Sequence, residues 1–419
     1  MFMFFCIFFK VSEAPISLMY IDPGTGSMLL TILMGLLSVG IYSFKSLFLK
    51  LYSFAGIKKN NTENNKFVIY TDSKIYWNTF KSICDEFEKR KIELTYLTQS
   101  EDDLVFNNNY QFIKPEYIGH DRKSFARLNN LKADILLSTT PSLDVFQWKR
   151  SKDVKHYIHI PHSHKDMTLY RVFGIDYYDS MLLSGEFQFP PIRELEEKRN
   201  LPAKELRAVG LTYFDELKKK VDNSRKTENE IPVILLAPSW GVNSILNKYG
   251  PLLIDPLIKT GYKIVVRPHP QSFVSEPELI NNLIKQYPEL EWNKDIDNFD
   301  ILNRADLLIS DFSGVMFDFA FVFDKPFIYT EYDFDDSPYD AHWVDEIPWT
   351  FRILPEIGHP LSESEFACIK SIIDDCMYNS KYSIARKKAI EETWINIGGS
   401  AEAITDYMIE KQKEITEEK

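Results

Sequence analysis

His269 lies in a segment whose residue types favour acid–base or phosphate chemistry. Ile264–Pro270 has the sequence IVVRPHP, an apolar run that ends in a basic and an imidazole side chain. Pro268 and Pro270 end the strand and fix the backbone on both sides of His269. Arg267 offers a guanidinium group that can bind a phosphate through two parallel hydrogen bonds. The alternative interpretation is a surface turn that happens to contain a histidine.

Four histidines in a second segment raise the question of a metal site. They occupy positions 156, 159, 162 and 164 of Lys155–Tyr170. Strand alternation sends His156 and His159 to opposite faces, and Pro161 then breaks the strand, so zinc geometry is disfavoured. We therefore predict no metal site. Instead, we expect a single histidine, His162, to lie just past the end of a strand. An imidazole near its ordinary pKa suits proton transfer at neutral pH.

A small polar cluster directly follows a buried-looking strand in Ala305–Ala320, ADLLISDFSGVMFDFA. Ligands of parallel αβ sheets bind beyond the carboxyl ends of the strands. The amides at the start of the next helix favour anions, and serine hydroxyls and a glycine would let a phosphate approach the backbone. The candidate phosphate-binding residues are Ser310, Asp311, Ser313 and Gly314. The competing interpretation is a simple helix cap by Asp311 or Ser313.

Weaker signals lie near the ends of other predicted strands. Ser239 and Trp240 end the strand Val233–Ala237 with a polar and an aromatic group. Asp318 is a candidate for a ribose contact or, equally, a solvated helix residue. Asp333 follows the strand Phe327–Tyr329 and is a candidate donor-binding residue or part of a turn.

The elements that would position these residues alternate between strands and helices. Apolar runs predict strands at Phe67–Tyr70, Leu94–Leu97, Ile135–Ser138, His156–Ile160 and Ser180–Leu183, and later at Val233–Ala237, Ile264–Arg267, Leu307–Ser310 and Phe327–Tyr329. Helical spacing separates several of them, and this alternation predicts parallel sheets covered on both faces. The charged, aperiodic stretch Lys218–Glu230 divides two αβ halves of similar size. We predict two Rossmann-like domains that face each other across a cleft.

The first part of the chain has a different composition. Met28–Phe44 is apolar and uncharged, and four lysines, at 45, 50, 58 and 59, follow it. Its length and the flanking charge predict a single transmembrane helix with the later domains in the cytoplasm. A cleaved signal peptide is the alternative, and Met19 is a second possible start. The predicted divisions are residues 1–60 for the anchor and linker, 61–225 and 226–385 for the two domains, and 386–419 for a helical tail.

Composition limits the partners. The 419-residue chain has a formal net charge of −12, which argues against general nucleic-acid binding. Its four cysteines show no CxxC spacing, and reduced thiols in a cytosolic compartment are expected.

Together, RPHP and ISDFSGVMFDFAFVFDKPFIYTEYD closely resemble the second domain of the CDP-glycerol glycerophosphotransferase family, which includes teichoic acid primases and polymerases. The segments APSW and AVGLTYFDEL are similar to that family's strand-end and interdomain segments. The resemblance covers roughly residues 150–340, and SDFSGVMFD is its most specific block. Two departures concern substrate choice: Pro161-His162-Ser163-His164 replaces a frequent His-Gly-Thr-Pro, and Gly241 stands where a basic or polar group is frequent.

This resemblance implies a GT-B-like fold and a reaction. The donor would be CDP-glycerol or another CDP-alditol, with its pyrophosphate against Ser310–Gly314, and one histidine from each domain, His162 and His269, would act in catalysis. Glycerol phosphate or a related alditol phosphate would pass to a hydroxyl of a lipid-linked or polymer acceptor, and CMP would leave. No cofactor is expected, although a divalent ion on the pyrophosphate stays an alternative. The rival functions are a GT-B glycosyltransferase or nucleotide-sugar 2-epimerase of surface polysaccharide synthesis, and an inactive membrane scaffold.

Overall fold

Residues 65–225, 229–295, 297–311, 313–331 and 334–417 are described by a computed structural model, and they contain two parallel β-sheets. The first sheet has the order β3-β2-β1-β4-β5-β6-β7. Its strands are β1 (Asn65–Thr71), β2 (Leu94–Thr98), β3 (Ile113–Tyr117), β4 (Ala133–Ser138), β5 (Val154–His159), β6 (Ser180–Leu183) and β7 (Glu205–Ala208).

The second sheet repeats the same winding with one strand fewer, in the order β10-β9-β8-β11-β12-β13. Its strands are β8 (Val233–Leu236), β9 (Lys263–Val266), β10 (Glu291–Trp292), β11 (Leu307–Ser310), β12 (Phe327–Thr330) and β13 (His359–Leu361). All strand pairs of both sheets are parallel. The strand order therefore reverses between β1 and β4 and again between β8 and β11, where this class of sheet binds ligands.

Helices connect the strands and cover both sheets. Those of the first half are α1 (Trp77–Lys89), α2 (Arg122–Leu128), α3 (Phe189–Lys198) and α4 (Thr212–Asn223). Those of the second half are α5 (Ile245–Lys248), α6 (Pro251–Ile258), α7 (Ser272–Ser275), α8 (Pro277–Gln286), α9 (Phe299–Arg304), α10 (Val315–Phe317), which continues as a π-helix (Asp318–Val322), α11 (Trp349–Ile357), α12 (Ile369–Tyr378), α13 (Ser380–Thr393) and α14 (Ser400–Glu417).

The central strands are apolar throughout because each of their faces is buried under a layer of helices. In β1, Phe67 and Ile69 pack into one core cluster, whereas Val68 and Tyr70 pack into the cluster on the opposite face. The predicted α/β class with two parallel sheets is thus confirmed. One detail was wrong: the stretch Lys218–Glu230 is not irregular throughout, since α4 continues to Asn223.

The chain connects the two halves twice, and Asp215 binds both connections. The first passes through α4, and the second returns from α13 to α14, which lies against the first sheet through Gln412 and Asp134. The Asp215 carboxylate accepts hydrogen bonds from the Trp394 indole at 3.1 Å and from two backbone amides, those of residues 398 and 400, at 2.9 and 3.1 Å. One buried carboxylate therefore fixes the return of the chain to its first half.

A second junction between the halves is built from His164 and Asp166, which follow β5. The Asp166 carboxylate accepts hydrogen bonds from the Trp349 amide at 3.0 Å and the Thr350 amide at 2.8 Å, at the start of α11. It also accepts the Thr350 hydroxyl. Because Asp166 belongs to the first half and α11 to the second, this carboxylate caps a helix of the opposite domain.

His164 fills an aromatic cage beside that cap. Its ring is nearly parallel to the rings of Phe214 and Phe317, at centroid distances of 5.4 and 5.2 Å, and it also contacts Phe321 and Trp349. The Thr393 hydroxyl donates to a backbone carbonyl, so it accepts the hydrogen bond from His164 Nε2, 2.8 Å away. Burial lowers the pKa of His164 to about 3, and the imidazole is neutral.

The predicted membrane anchor Met28–Phe44 lies outside the described residues. Within the described part of the chain, no helix combines the length and apolar character that a membrane span requires.

Acid should destabilise this fold because His159, His162 and His164 each have a pKa lowered to about 3, with burial as the main cause. Below about pH 6.5 the unfolded chain binds protons at these side chains and the native state does not, so protonation favours unfolding. Each such histidine should remove about 1.4 kcal/mol of unfolding free energy per pH unit between these pKa values. Urea titrations between pH 7 and 5 measure this slope.

The variant His164→Phe should lose one histidine's share of that slope, because phenylalanine fills the cage without titrating. His120→Gln, at an exposed position, is the matched control for the loss of one histidine. An unaltered slope in His164→Phe would show that His164 is not held neutral.

Candidate functional site

Ser310 and Asp311 join β11 to the loop after β8, at the point where the second sheet reverses its strand order. The Ser310 hydroxyl donates to the Ala237 carbonyl at 2.6 Å. The Asp311 carboxylate accepts the amides of Ser239 at 2.7 Å and Ile245 at 3.0 Å. Both polar side chains are buried, and burial raises the pKa of Asp311 against the effect of these amides. The side chains of Ser310 and Asp311 therefore hold the loop after β8 in place beneath the site.

Ser313 and Gly314 form the open part of the same turn. Neither Ser313 nor Asp311 caps the following helix, which starts without a side-chain hydrogen bond. No described residue forms a hydrogen bond with the Ser313 hydroxyl, although its backbone carbonyl accepts the Met316 amide. A Cβ atom added to Gly314 would meet no described atom within 4 Å. The turn therefore has a free hydroxyl and an accessible backbone, as a phosphate site requires.

His269 extends from the end of β9 toward this turn. The Gln271 amide donates to His269 Nδ1 at 3.1 Å, so the neutral ring carries its proton on Nε2. Partial desolvation of the imidazole lowers the pKa of His269, and the nearby Asp311 carboxylate opposes that shift. The ring is exposed and lies 6.5 Å from the Trp240 ring, centroid to centroid. The imidazole is thus a ready hydrogen-bond donor at the edge of the sheet.

Arg267 and Asp318 have surroundings that the sequence did not indicate. The Arg267 guanidinium donates to the Asn293 side chain, so part of its hydrogen-bonding capacity is already used. Asp318 is buried in the π-helix and accepts the Tyr213 hydroxyl at 2.9 Å. Burial raises the pKa of Asp318 to about 7. The alternative that Asp318 is a solvated helix residue is therefore wrong. Asp333 lies outside the described residues.

His162 occupies the carboxyl edge of the first sheet. Its Nδ1 atom lies 3.0 Å from the Thr139 hydroxyl and 3.4 Å from the Tyr170 hydroxyl, and its ring contacts Tyr76 at 4.6 Å. Burial, with a smaller contribution from the Lys165 ammonium, lowers the pKa of His162 to about 3. The side chain is therefore a neutral imidazole held in one orientation.

The structure separates the candidates into two groups. Contacts at the second sheet connect His269, Trp240, Ser239 and Asp311, whereas His162 stands with Thr139 and two tyrosines on the first. No hydrogen bond or ring contact among the described residues joins His162 to His269. Each histidine lies at the carboxyl edge of its own sheet.

The sequence interpretation missed Thr139, Tyr76 and Tyr170. Thr139 follows directly after β4, beside the reversal in strand order, so its position at the end of a predicted strand could have indicated it. The two tyrosines reach His162 only through tertiary packing.

The other histidines of Lys155–Tyr170 have separate surroundings. His156 Nε2 contacts the Ser180 hydroxyl, and the fully buried His159 ring packs against Tyr170 and Tyr178. Among the residues that the structure describes, no three histidine, cysteine or acidic side chains are grouped as metal ligands would be.

Comparison with known proteins finds a family profile that matches the second half of the chain. The sequence profile described as CDP-Glycerol:Poly(glycerophosphate) glycerophosphotransferase matches residues 210–409. The teichoic acid glycerol-phosphate primase of Bacillus subtilis (strain 168) is 31% identical over 127 residues. This alignment covers 29% of the present chain and 31% of the primase, so the chain matches about a third of its curated relative's length.

Solved structures support the architecture. The wall teichoic acid polymerase TagF superposes with a TM-score of 0.55 over 89% of this chain and 96% of that one, at 14% identity. UDP-GlcNAc 2-epimerase from Neisseria meningitidis superposes with a TM-score of 0.54 over 82% of this chain and 100% of that one, at 12% identity. At such identities the likeness concerns the fold alone, and the predicted GT-B-like fold is confirmed. The profile match over residues 210–409 and the 31% identity to the primase confirm, for the second half of the chain, the resemblance to the CDP-glycerol glycerophosphotransferase family that its RPHP and SDFSG segments predicted.

Proposed function

We propose that this protein transfers glycerol phosphate, or a related alditol phosphate, from a CDP-alditol to an acceptor hydroxyl during assembly of a teichoic-acid-like envelope polymer. The single observation that carries the proposal is the uncapped turn at Ser313 and Gly314, with its free hydroxyl and open backbone. It lies where the second sheet reverses its strand order, inside the segment that matches the family profile. The donor's pyrophosphate would bind there.

In the proposed reaction, the acceptor oxygen attacks the β-phosphorus of the donor. A bond from that oxygen to phosphorus forms, the bond from phosphorus to the bridging oxygen breaks, and CMP leaves with the electron pair. The acceptor proton passes to His162 Nε2, which has a lone pair when Nδ1–H donates to Thr139. His269 donates its Nε2 proton in a hydrogen bond to the pyrophosphate, and Ser313 adds its hydroxyl. Such a displacement needs mainly positioning and charge stabilisation.

The lowered pKa of His162 belongs to the protein without substrate. An anionic phosphate beside the imidazole favours the protonated form, so donor binding should raise this pKa toward the range of an effective base. His162 therefore becomes an effective base only when the donor is bound.

The fold alone does not separate this reaction from that of a nucleotide-sugar 2-epimerase, since both kinds of structure superpose almost equally well. The profile match favours phosphotransfer. Release of CMP from CDP-glycerol and other CDP-alditols, with UDP-sugars tested in parallel, distinguishes the two. Turnover of a UDP-sugar without any CDP-alditol turnover would contradict the proposal.

The proposal extends to the membrane, with Met28–Phe44 as a single-pass anchor and the two domains on the cytoplasmic side. Only the apolar sequence and the lysines after it support this part. We expect the protein to stay in the membrane fraction after washes with salt and carbonate. Complete recovery in the soluble fraction would contradict the anchor.

Gly314→Ala should weaken donor binding without destabilising the protein. The backbone at Gly314 has an ordinary helical φ of −58°, and an added methyl group meets no described atom, so the folded state accommodates it. The same methyl group would occupy the space into which a phosphate must come. We expect a loss of about tenfold in affinity for CDP-glycerol by calorimetry, about 1.4 kcal/mol.

Gly358→Ala is the matched control, because its methyl group would lie 2.5 Å from the Phe327 ring. It should lower the melting temperature and leave donor affinity in the folded fraction unchanged. If Gly314→Ala binds the donor like the wild type, the phosphate is elsewhere.

His269→Gln and His162→Gln should differ in their kinetic effects. His269 lies at the proposed donor site and is exposed, so its replacement should weaken donor binding and lower kcat with little loss of stability. His162 lies on the first sheet, so its replacement should lower kcat and leave donor affinity intact. Both losses in kcat should be about 10²–10⁴-fold. Undiminished turnover in either variant would remove that histidine from the mechanism.

A further inference from the structure

Lys165 stands between two residues that anchor the first half of the chain to the second. His164 enters the aromatic cage and Asp166 caps α11, whereas the Lys165 ammonium lies over the Tyr170 ring, 4.3 Å from its centroid. The Tyr170 hydroxyl is the group that lies 3.4 Å from His162 Nδ1. The backbone of Lys165 is therefore fixed on both sides, and its charge is held beside His162.

The Lys165 ammonium has no anionic partner in the described part of the chain. Among the described residues it forms no ion pair or hydrogen bond, and it contacts the Tyr170 ring. Other partly buried lysines each meet a carboxylate or carbonyl oxygen; these are Lys81, Lys155, Lys204, Lys218, Lys325 and Lys411. Lys165 differs from all of them.

A partly buried ammonium group without an anionic partner loses hydration, which is unfavourable unless another interaction replaces it. Burial lowers the pKa of Lys165 to about 8, so the side chain is still mainly cationic at pH 7. Its charge in turn contributes to the lowered pKa values of His159 and His162. Contact with a tyrosine ring recovers only part of the lost hydration. An oxyanion that arrives with the substrate would supply the missing partner.

We infer that Lys165 binds a non-bridging oxygen of the phosphoryl group that is transferred, and so contributes to catalysis from the first domain. This inference rests on the proposed function. As the acceptor oxygen attacks phosphorus and CMP leaves, the ammonium keeps its three protons and stabilises the phosphoryl oxygens. It also holds the phosphoryl group next to His162, which receives the acceptor proton. A lysine acts here as a compact point charge.

The variant Lys165→Met tests this inference, because methionine keeps the length of the side chain and packs well on tyrosine. Calorimetry with CMP, CDP and CDP-glycerol separates the parts of the donor. CMP lacks the β-phosphoryl group, so its affinity should not change, whereas CDP and CDP-glycerol should bind more weakly. The loss of one charge-stabilising donor should lower kcat by about 10²–10³-fold. Lys165→Arg should recover part of the CDP affinity because it restores the charge.

Lys149→Met, at an exposed position, is the matched control and should behave like the wild type. The melting temperature of Lys165→Met should be unchanged or higher, because the variant removes an uncompensated charge. Equal CDP-glycerol affinity and kcat in Lys165→Met and wild type would overturn the inference. A change confined to the acceptor KM would also overturn it, since the anion would then belong to the acceptor.

Inorganic pyrophosphate distinguishes failure of this inference from failure of the proposed function. If the wild type turns over no CDP-alditol, the proposed function fails, yet pyrophosphate titration still probes Lys165. Weaker pyrophosphate binding in Lys165→Met than in wild type and Lys149→Met supports an oxyanion site at Lys165. Equal binding in all three proteins contradicts it.

Discussion

The Asp166 carboxylate is the interaction on which the geometry of the site depends. It comes from the loop after β5 and accepts three hydrogen bonds at the start of α11, so the first sheet is fastened to a helix of the second. Its burial is tolerable because those donors satisfy it. His164, two residues earlier, adds aromatic packing to the same junction. His162 and Lys165 belong to this short segment, and their positions follow from it.

The interior of each sheet could be predicted from the sequence, but the edges could not. All nine interior strands of the described residues were expected within one or two residues, because strands buried on both faces are continuously apolar. The four missed strands, β3, β7, β10 and β13, are the edge strands of the two sheets. In β3, for example, only Ile113 is buried and Pro115 interrupts the pattern. An edge strand buries too little to impose an apolar sequence, and a proline is tolerated there.

In the site, too, residues with a local sequence pattern could be predicted, and residues defined by tertiary contacts could not. His269, Ser313 and Gly314 could be found because prolines, small residues and strand ends leave a local pattern. The sequence could not show that Ser310 and Asp311 hold the adjacent loop, since their partners are about 70 residues away. Lys165 left no pattern at all. Lys165 is distinctive because no carboxylate of the described residues pairs with its ammonium group, and only the tertiary structure shows this.

The paired chain connections held by Asp215 restrict how the two halves can move. The two adjacent chain connections alone would allow rotation about the line that passes through them. Translation, and rotation about other axes, would stretch a connection or break the hydrogen bonds of Asp215. Other hydrogen bonds between the halves oppose this rotation too: Asp166 binds the start of α11, and the Asp340 carboxylate accepts the amides of residues 173 and 174 and the Arg199 guanidinium. A rotation of one half against the other would therefore have to break the carboxylate hydrogen bonds of Asp166 and Asp340 as well as those of Asp215.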